Sequence, residues 1–213
     1  MAHLTCINST KDDIDLIIKE LKENNIKNIL ALRGDIPKDK DIIGEYNYAF
    51  ELIEKIKASN NFGISGACYP EGHIECKSLD QDIRELKRKV DAGAEHLISQ
   101  LFFDNNIFYE FLNKTQEKSI NVPIQAGIMP VVNKKQIERI VKISGATLPK
   151  KFMKILDKYE YDKKAMEDAG IAYAVEQIVD LVSSGVKGIH LYTMNNPYIA
   201  RKITEVQNQY LIL

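Results

Sequence analysis

NILALRGDIP, residues 28–37, decides the fold class of this 213-residue chain. Residues 28–32 form an apolar run that predicts a buried strand, and Arg33, Gly34 and Asp35 follow it directly. A strand that is apolar almost throughout is typical of a parallel sheet with both faces covered. Asp35 could pair with Arg33, cap the next turn or face a ligand, and pairing with Arg33 is the structural default.

Five other apolar runs have the same character, and amphipathic patterns separate them. The six predicted strands are residues 3–7, 28–33, 63–68, 96–103, 122–128 and 188–194. Between them, apolar residues recur at the spacing of one helix face, as at Ile14, Ile17, Ile18 and Leu21. Strands that alternate with helices predict parallel pairing through right-handed crossovers, and therefore an α/β fold.

Short local signals mark where several helices begin and end. Thr10 with Asp13, and Ser78 with Gln81, have the spacing of N-terminal capping boxes. Glycines follow the apolar patterns at two predicted helix ends, residues 93 and 185. A further segment at residues 145–162 predicts an additional helix, for which a covering role is the plainer interpretation.

Two α/β architectures fit this order, an open doubly wound sheet and a (β/α)8 barrel. No G-x-G-x-x-G motif follows the first strand, which weakens the dinucleotide-binding version of the open sheet. Polar residues gather where the strands finish, as the functional rim of a barrel requires. Six strands are too few for a complete barrel, which typically takes about 250 residues, so either the fold differs or two βα units are missing.

Composition and charge narrow the classes of function. Hydrophobic residues make up 45% of the chain and charged residues 28%, and the net charge of −1 provides no broad basic field for nucleic acid. No apolar run is long enough to span a membrane, and the N-terminus lacks the pattern of a signal peptide. The three cysteines, at 6, 68 and 76, lack metal-ligand spacing, so we expect a reducing cytoplasm, no disulfide and no metal site.

Several polar residues could serve either structure or chemistry. His73, at the end of YPEGH (69–73), could donate to a phosphate or a cofactor oxygen, although a loop histidine is more often incidental. Arg88 and Lys89 could hold phosphates or lie in water. Gln100, in QLFFD (100–104), could hydrogen-bond a planar heterocycle or be a satisfied buried amide.

Taken together, these motifs resemble the flavin-dependent 5,10-methylenetetrahydrofolate reductases. The matching stretches are AHLTC (2–6), NILALRGD (28–35), YPEGH (69–73), LKRKVDAGA (86–94), SQLFFD (99–104), VPIQAGIMPV (122–131) and LYTMN (191–195). They follow the order and the spacing of that family over essentially the whole chain. The combination of LRGD, YPE-x-H and QLFFD makes the resemblance specific.

The resemblance implies a (β/α)8 TIM barrel, of which this chain supplies about six βα units, the third to the eighth. It implies one partial barrel domain over residues 1–213, with an extra helical segment near 145–162. The first strand of the family carries a glutamate that protonates the folate, and no residue of this sequence takes its place. A family arginine after the last strand corresponds to Asn196. We therefore expect the chain to be poorly stable alone, with two unpaired strand edges, and impaired in folate reduction.

The implied activity is flavin-mediated hydride transfer from NADH or NADPH to 5,10-methylenetetrahydrofolate, which gives 5-methyltetrahydrofolate for one-carbon metabolism and methionine biosynthesis. The implied cofactor is FAD, with FMN possible. Its implied contacts are His3, Arg33, Gly34, Asp35, Tyr48, Ala49, Tyr69, His73, Cys76, Asp82, Glu85, Arg88 and Lys89. Folate and the nicotinamide nucleotide would share a pocket that Asp35, Gln100 and Gln136 contact.

Asp35 is the implied catalytic residue, because an anion beside the folate favours its cationic ring-opened form. The resemblance also implies a cytoplasmic protein, with a homo-oligomer or a partner subunit possible. The alternative function is a non-catalytic remnant that binds flavin or a partner chain.

Overall fold

The computed structural model describes residues 1–36 and 44–210, so Pro37 of the opening stretch lies outside the described residues. Strands and helices alternate along the first two thirds of the chain, as the apolar pattern predicts. The strands are β1 (Ala2–Thr5), β2 (Asn28–Leu32), β3 (Gly63–Cys68), β4 (His96–Leu101), β5 (Ile124–Ile128) and β6 (Ile189–Leu191). The helices are α1 (Lys11–Glu23), α2 (Ala49–Ala58), α3 (Leu79–Asp91), α4 (Asn105–Glu117), α5 (Lys134–Ser144), α6 (Lys150–Tyr159), α7 (Lys163–Ser183) and α8 (Pro197–Tyr210).

The strands form one six-stranded sheet in the order of the sequence, β1-β2-β3-β4-β5-β6. Ile29 of β2 lies in register with Ala2 of β1 and with Ile64 of β3, and both pairings are parallel. The α/β fold and the six strands are therefore confirmed. Over the described residues β1 and β6 are the edges of the sheet, so its strand order is that of a barrel that is not closed.

Every strand except β3 is shorter than its apolar run predicts, and three of them show where the ladder stops. The ladder stops after Thr5, because the amides of Cys6 and Ile7 both donate to the carbonyl of Arg33, at 3.1 and 2.8 Å. β4 ends at Leu101 and β6 at Leu191, although the apolar runs continue. After β6, Met194 and Asn195 have φ angles of 50° and 59°, a left-handed conformation that a strand cannot contain.

The predicted helix signals have visible physical causes. At the start of α1 the Thr10 hydroxyl accepts from the Asp13 amide, and the Asp13 carboxylate accepts from the Thr10 amide, at 3.2 and 2.9 Å. The Ser78 hydroxyl accepts from the Gln81 amide at 3.2 Å, before α3. Gly93 and Gly185 follow α3 and α7 with φ angles of +123° and +83°, which favour glycine.

The described chain divides into two compact units. The first unit comprises residues 1–68, 83–98 and 115–123. Its core is mainly aliphatic and is formed where β1, β2 and β3 pack against α1 and α2. The residues of this core that are inaccessible to solvent include Ile14, Ile29, Ala31, Leu52, Ile53 and Ile56.

The second unit comprises residues 69–82, 99–114 and 124–213. Its core is richer in aromatic side chains, and Phe152 of α6 stacks between Phe103 and Tyr173, with ring centroids at 5.3 and 4.1 Å. The interpretation of residues 1–213 as a single partial barrel domain stays a prediction. Among the described helices, none combines the length and the apolar character needed to cross a membrane.

Candidate functional site

The end of β2 is held by backbone contacts that explain the glycine of LRGD. The Arg33 carbonyl accepts the amides of Cys6 and Ile7, and the Arg33 Nε donates to the Gly34 carbonyl at 3.2 Å. Gly34 has a φ of +89°, and a Cβ there would lie 3.2 Å from the Thr5 Cβ and 3.3 Å from the Ile7 Cγ2. Glycine is therefore required for the turn itself, and the turn leaves Asp35 exposed.

An aromatic and cationic cluster lies at the start of α2, in the first unit. The Tyr48 ring, 51% exposed, stacks on Phe50 with centroids 5.7 Å apart. The guanidinium of Arg88 lies 4.0 Å from the centroid of the Phe50 ring and donates to the Glu85 carboxylate at 2.8 Å. The Glu51 carboxylate accepts from the Tyr48 amide at 2.9 Å, which fixes the first turn of α2.

The other predicted cofactor residues of the first unit take different positions. His3 is exposed on β1, in register with Leu30. Ala49 is buried as the first residue of α2. The Lys89 Nζ donates to the Ala67 carbonyl at 2.9 Å, near the carboxyl end of β3, so Lys89 is half-buried instead of lying in water. An ammonium has three donors, and the bond to Ala67 uses one of them.

Cys6 joins the end of β2 to the start of α2. Its amide donates to the Arg33 carbonyl, and its Sγ lies 3.8 Å from the Tyr48 carbonyl oxygen, as a weak donor. Burial, together with the nearby Glu51 carboxylate, raises the pKa of the Cys6 thiol from 9.0 to about 11. Cys6 is therefore a buried neutral thiol that packs structurally, not a nucleophile.

The YPEGH motif folds into a tight turn in the second unit. The Gly72 amide donates to the Tyr69 carbonyl at 3.0 Å, with Pro70 at the second position of the turn and Gly72 at a φ of +85°. The His73 ring meets the Tyr69 ring edge-on, with centroids 4.7 Å apart. The turn therefore fixes the position of the histidine ring.

Backbone contacts also select the tautomer of His73. The Glu75 amide donates to the His73 Nδ1 at 3.2 Å, so the neutral ring carries its proton on Nε2. Asp82, which is 7% exposed, accepts from the His73 amide at 3.3 Å and from the Cys76 thiol at 3.4 Å. In this arrangement Asp82 holds the turn that carries His73.

Gln100 lies at the carboxyl end of β4, in the second unit. Its Oε1 accepts from the Leu101 amide at 3.0 Å, so its carboxamide NH2 is the group it presents to a ligand. The neighbouring Ser99 is inaccessible to solvent; its hydroxyl donates to the Gln100 carbonyl at 2.9 Å and accepts from the Gly127 amide at 2.8 Å. A Cβ at Gly127 would lie 2.3 Å from the Ser99 carbonyl oxygen, so only glycine allows this approach.

Helix α7 holds the chain that follows β4. The Tyr173 hydroxyl donates to the Phe103 carbonyl at 2.6 Å, and burial raises its pKa to about 12. The Gln177 Nε2 donates to the Phe102 carbonyl at 3.3 Å. Two side chains one helical turn apart therefore satisfy two successive carbonyls of QLFFD.

A pocket of about 200 Å³ in the second unit contains Gln136. It is lined by Met129, Pro130, Val131, Val132, Asn133, Gln136, Ile137, Ile140, Met194, Asn196 and Ile199. Gln136 lies in the first turn of α5, where its amide donates to the Asn133 side chain at 2.9 Å. Asn196 shares the pocket, whereas Gln100 is not among its lining residues over the described chain.

The structure thus groups the predicted residues within each unit. Arg33 and Tyr48 are joined through Cys6, Glu85 and Arg88 lie beside Phe50, and the Tyr69–His73 turn includes Cys76 and Asp82 among its contacts. The functional interpretation of these residues and the Arg33–Asp35 pairing stay predictions. The sequence analysis does not single out Phe50, although its position directly after the predicted contacts Tyr48 and Ala49 could have indicated it. In the described part of the chain, no group of acidic, histidine or cysteine side chains could hold a metal ion.

Comparison with known proteins identifies the family. The family description of methylenetetrahydrofolate reductase matches residues 1–208. Methylenetetrahydrofolate reductase 1 of Schizosaccharomyces pombe is 38% identical over 208 residues, with 95% of this chain and 34% of the relative covered. The 5,10-methylenetetrahydrofolate reductase of Escherichia coli is 37% identical over 193 residues, with 91% and 64% covered. Methylenetetrahydrofolate reductase (NADH) 1 of Zea mays is 36% identical over 210 residues, with 92% and 35% covered.

A solved structure shares the fold. It is an uncharacterized protein from Clostridium thermocellum that binds two copies of 5-methyl-5,6,7,8-tetrahydrofolic acid. The comparison gives a TM-score of 0.65 and a sequence identity of 14%, and it covers 99% of this chain and 72% of that chain. The chain spans about a third of the length of the yeast and maize relatives and 64% of the bacterial one. Because the family match extends over nearly the whole sequence at this identity, the chain belongs to the methylenetetrahydrofolate reductase family.

Proposed function

We propose that this chain carries the cofactor- and folate-binding part of a methylenetetrahydrofolate reductase. The reaction is hydride transfer from NADH or NADPH, through a flavin, to 5,10-methylenetetrahydrofolate, with 5-methyltetrahydrofolate as the product. One observation carries the proposal beyond family membership. Five of the polar residues assigned to ligands lie at or just beyond the carboxyl ends of β2, β3 and β4, where functional groups of parallel α/β sheets gather; they are Arg33, Asp35, Tyr69, His73 and Gln100.

The donor set of the first unit fits a flavin with a diphosphate, and FAD is the form we propose. Arg33, Arg88 and Lys89 supply three cations in one unit, and a diphosphate carries two negative charges. Stacking on Phe50 holds the Arg88 guanidinium in one orientation, which reduces the entropy lost when it binds a phosphate. Glu85 forms an ion pair with the same guanidinium, so its negative charge partly offsets the positive charge of Arg88 in the free protein.

The Tyr69–His73 turn of the second unit is a further contact that we assign to a flavin. With Nδ1 held by the Glu75 amide, Nε2 is the ring nitrogen that we assign to a contact with a phosphate or a ring oxygen. Asp82 keeps the turn in place through its bonds to the His73 amide and the Cys76 thiol. Its part in binding is therefore to orient the turn.

Asp35 and Gln100 act on the folate. A bound flavin supplies the hydride carrier between the two substrates. The exposed carboxylate of Asp35 stabilises positive charge on the folate as its five-membered ring opens. The Gln100 carboxamide donates to the pterin through its NH2, because its oxygen is held by the Leu101 amide. Gln136 lines the pocket of the second unit, and we assign it a contact with the substrates.

The test is a sequence of three optical measurements on the purified 213-residue chain. We expect bound flavin absorbance with added FAD, with FMN compared in parallel. Anaerobic NADH should then bleach the flavin, and methylenetetrahydrofolate should restore its colour at the reduced rate that the sequence predicts. NADH is tested before NADPH, because the maize relative is named for NADH. A chain that binds neither flavin would contradict the proposal.

Asp35→Asn separates catalysis from binding. We expect flavin affinity to stay within about twofold and the folate-dependent step to slow by roughly 10- to 100-fold, since a preorganised charge is lost. The matched control is Asp12→Asn, which removes an exposed carboxylate at the start of α1. It should leave the flavin affinity and the rate of the folate-dependent step unchanged. Equal rates in Asp35→Asn and in the control would remove Asp35 from the catalytic role.

The alternative function, a non-catalytic remnant, has its own signature in the same assay. Flavin that binds and bleaches but never passes electrons to folate would favour it. The cytoplasmic location rests on cysteine usage, and both it and oligomerisation stay predictions.

A further inference from the structure

The segment between α5 and α7 contacts the functional segments of the second unit. Residues 134–159, helices α5 and α6 with their connection, are here called the α5–α6 hairpin, because Lys134 at the start of α5 contacts Asp157 and Glu160 at the end of α6. Sequence alone favours a covering role for α6. Its contacts show a more specific arrangement, because polar bonds hold it at both ends.

The connection between the two helices is held by the YPEGH turn. The Glu71 carboxylate accepts from the Thr147 amide at 3.0 and 3.1 Å and from the Thr147 hydroxyl at 2.7 Å. Charged acceptors make the stronger hydrogen bonds of a protein surface, and this carboxylate uses both oxygens. Glu71 is two residues from His73, in the same turn.

The open end of the hairpin is closed by Lys134. Its Nζ contacts Asp157 at 3.0 Å and Glu160 at 2.7 Å, and its side chain is only 21% exposed. The two carboxylates raise the pKa of Lys134, so the ammonium stays charged. Lys134 begins α5, two residues before Gln136 of the pocket.

Between these ends, an aromatic side chain joins the hairpin to the chain after β4. Phe152, which is 1% exposed, stacks on Phe103, and the Phe103 carbonyl is held by the Tyr173 hydroxyl. Phe103 follows Gln100 by three residues. The hairpin, which contains Gln136, therefore contacts the turn of His73 through Glu71 and the chain after β4 through Phe103.

We propose that Glu71 is a positioning residue. Through its bonds to Thr147 it joins the Tyr69–His73 turn to the α5–α6 hairpin, so that the positions of His73 and Gln136 depend on the same contact. This inference rests on the proposed function for its consequence in catalysis: a ligand that orders the turn also orders the substrate pocket. Its structural part concerns the second unit alone. Glu71 itself touches no reacting atom.

The first measurement is hydrogen–deuterium exchange of the 213-residue chain without added flavin. In Glu71→Gln and Thr147→Val we expect exchange to rise about three- to tenfold, both in residues 69–76 and in residues 134–140, as charged hydrogen bonds are lost. Thr147→Ser keeps the hydroxyl and should match the wild type. Glu138→Gln, on the exposed side of α5, is the control for the carboxylate. Faster exchange confined to residues near 147 would overturn the proposal.

The second measurement is the Kd of FAD, by fluorescence quenching. We expect Glu71→Gln and Thr147→Val each to weaken binding by about three- to tenfold, and the loss in the double variant to fall short of the sum of the two single losses, because both substitutions act on the same contact. An unchanged Kd in both single variants would refute the positioning role. If the wild type binds no flavin, the proposed function fails, and the exchange experiment still decides this inference.

Discussion

Gly170 provides a test in which helix propensity and tertiary packing predict opposite signs. It lies inside α7 and is buried, and replacing a helical glycine by alanine normally stabilises a protein by about 1 kcal/mol. Here a Cβ would lie 1.7 Å from the carbonyl oxygen of Val131 and 2.7 Å from its carbonyl carbon. Val131 follows β5 and lines the pocket of Gln136.

The size of the effect follows from the displacement that alanine requires. Cβ atoms essentially never approach another atom closer than 3.0 Å, so α7 and the chain at Val131 must separate by at least 1.3 Å, the difference between 3.0 and 1.7 Å. Overpacking of this kind costs about 1–3 kcal/mol, and more where backbone cannot move. The clashing atoms are backbone atoms, so the cost lies at or above about 3 kcal/mol; since the propensity gain offsets up to about 1 kcal/mol of it, we expect Gly170→Ala to lower the free energy of unfolding by about 2 kcal/mol or more.

Urea unfolding at 25 °C, followed by far-ultraviolet circular dichroism, measures this change. Ala172→Gly, at an exposed position of the same helix, is the matched control and should cost about 1 kcal/mol through propensity alone. The two substitutions are inverse in chemistry, yet we expect both to destabilise. A Gly170→Ala variant as stable as the wild type, or more stable, would refute the packing argument.

Two further predictions concern buried groups. The pKa of Cys6 is raised to about 11 in the folded chain, so as the pH rises the thiol ionises first in the unfolded chain. The free energy of unfolding is therefore unchanged by Cys6 below pH 9 and falls by about 1.4 kcal/mol per pH unit between pH 9 and pH 11. Urea unfolding at several alkaline pH values should show this dependence in the wild type and a shallower one in Cys6→Ala. Ser99→Ala leaves the buried Gly127 amide without its acceptor and should lower the free energy of unfolding by about 1–3 kcal/mol at pH 7, and a loss below 0.5 kcal/mol would speak against that bond's role.

Local sequence signals are sufficient where the physical cause is local. Thr10 and Asp13 satisfy each other three residues apart, so the capping box is visible in the sequence and present in the structure. The apolar run at 63–68 has the bounds of the observed strand β3, which begins at Gly63 between the buried residues Phe62 and Ile64. The run at 188–194 is not, because Met194 and Asn195 adopt left-handed angles that nothing in their side chains requires.

Packing decides the meaning of residues whose partners are distant in sequence. Asp82 is a candidate ligand contact in the sequence, and the structure makes it the anchor of the His73 turn. Segment 145–162 is a plain covering helix in the sequence, and its bond from Thr147 to Glu71 spans 76 residues. Hydrophobic periodicity carries no information about such polar pairs, because one polar residue on a solvent face resembles another.

The sequence by itself determined the α/β class, the order of strands and helices, and the family, since periodicity, caps and contiguous motifs are properties of neighbouring residues. Only the tertiary structure decided that Gly34 is required by its own turn, that the neutral His73 is protonated on Nε2, and that Gln100 presents its NH2. Each of these depends on one backbone amide or side chain placed to within a few tenths of an ångström. That placement follows from the packed strands and helices together, and no stretch of the chain encodes it alone.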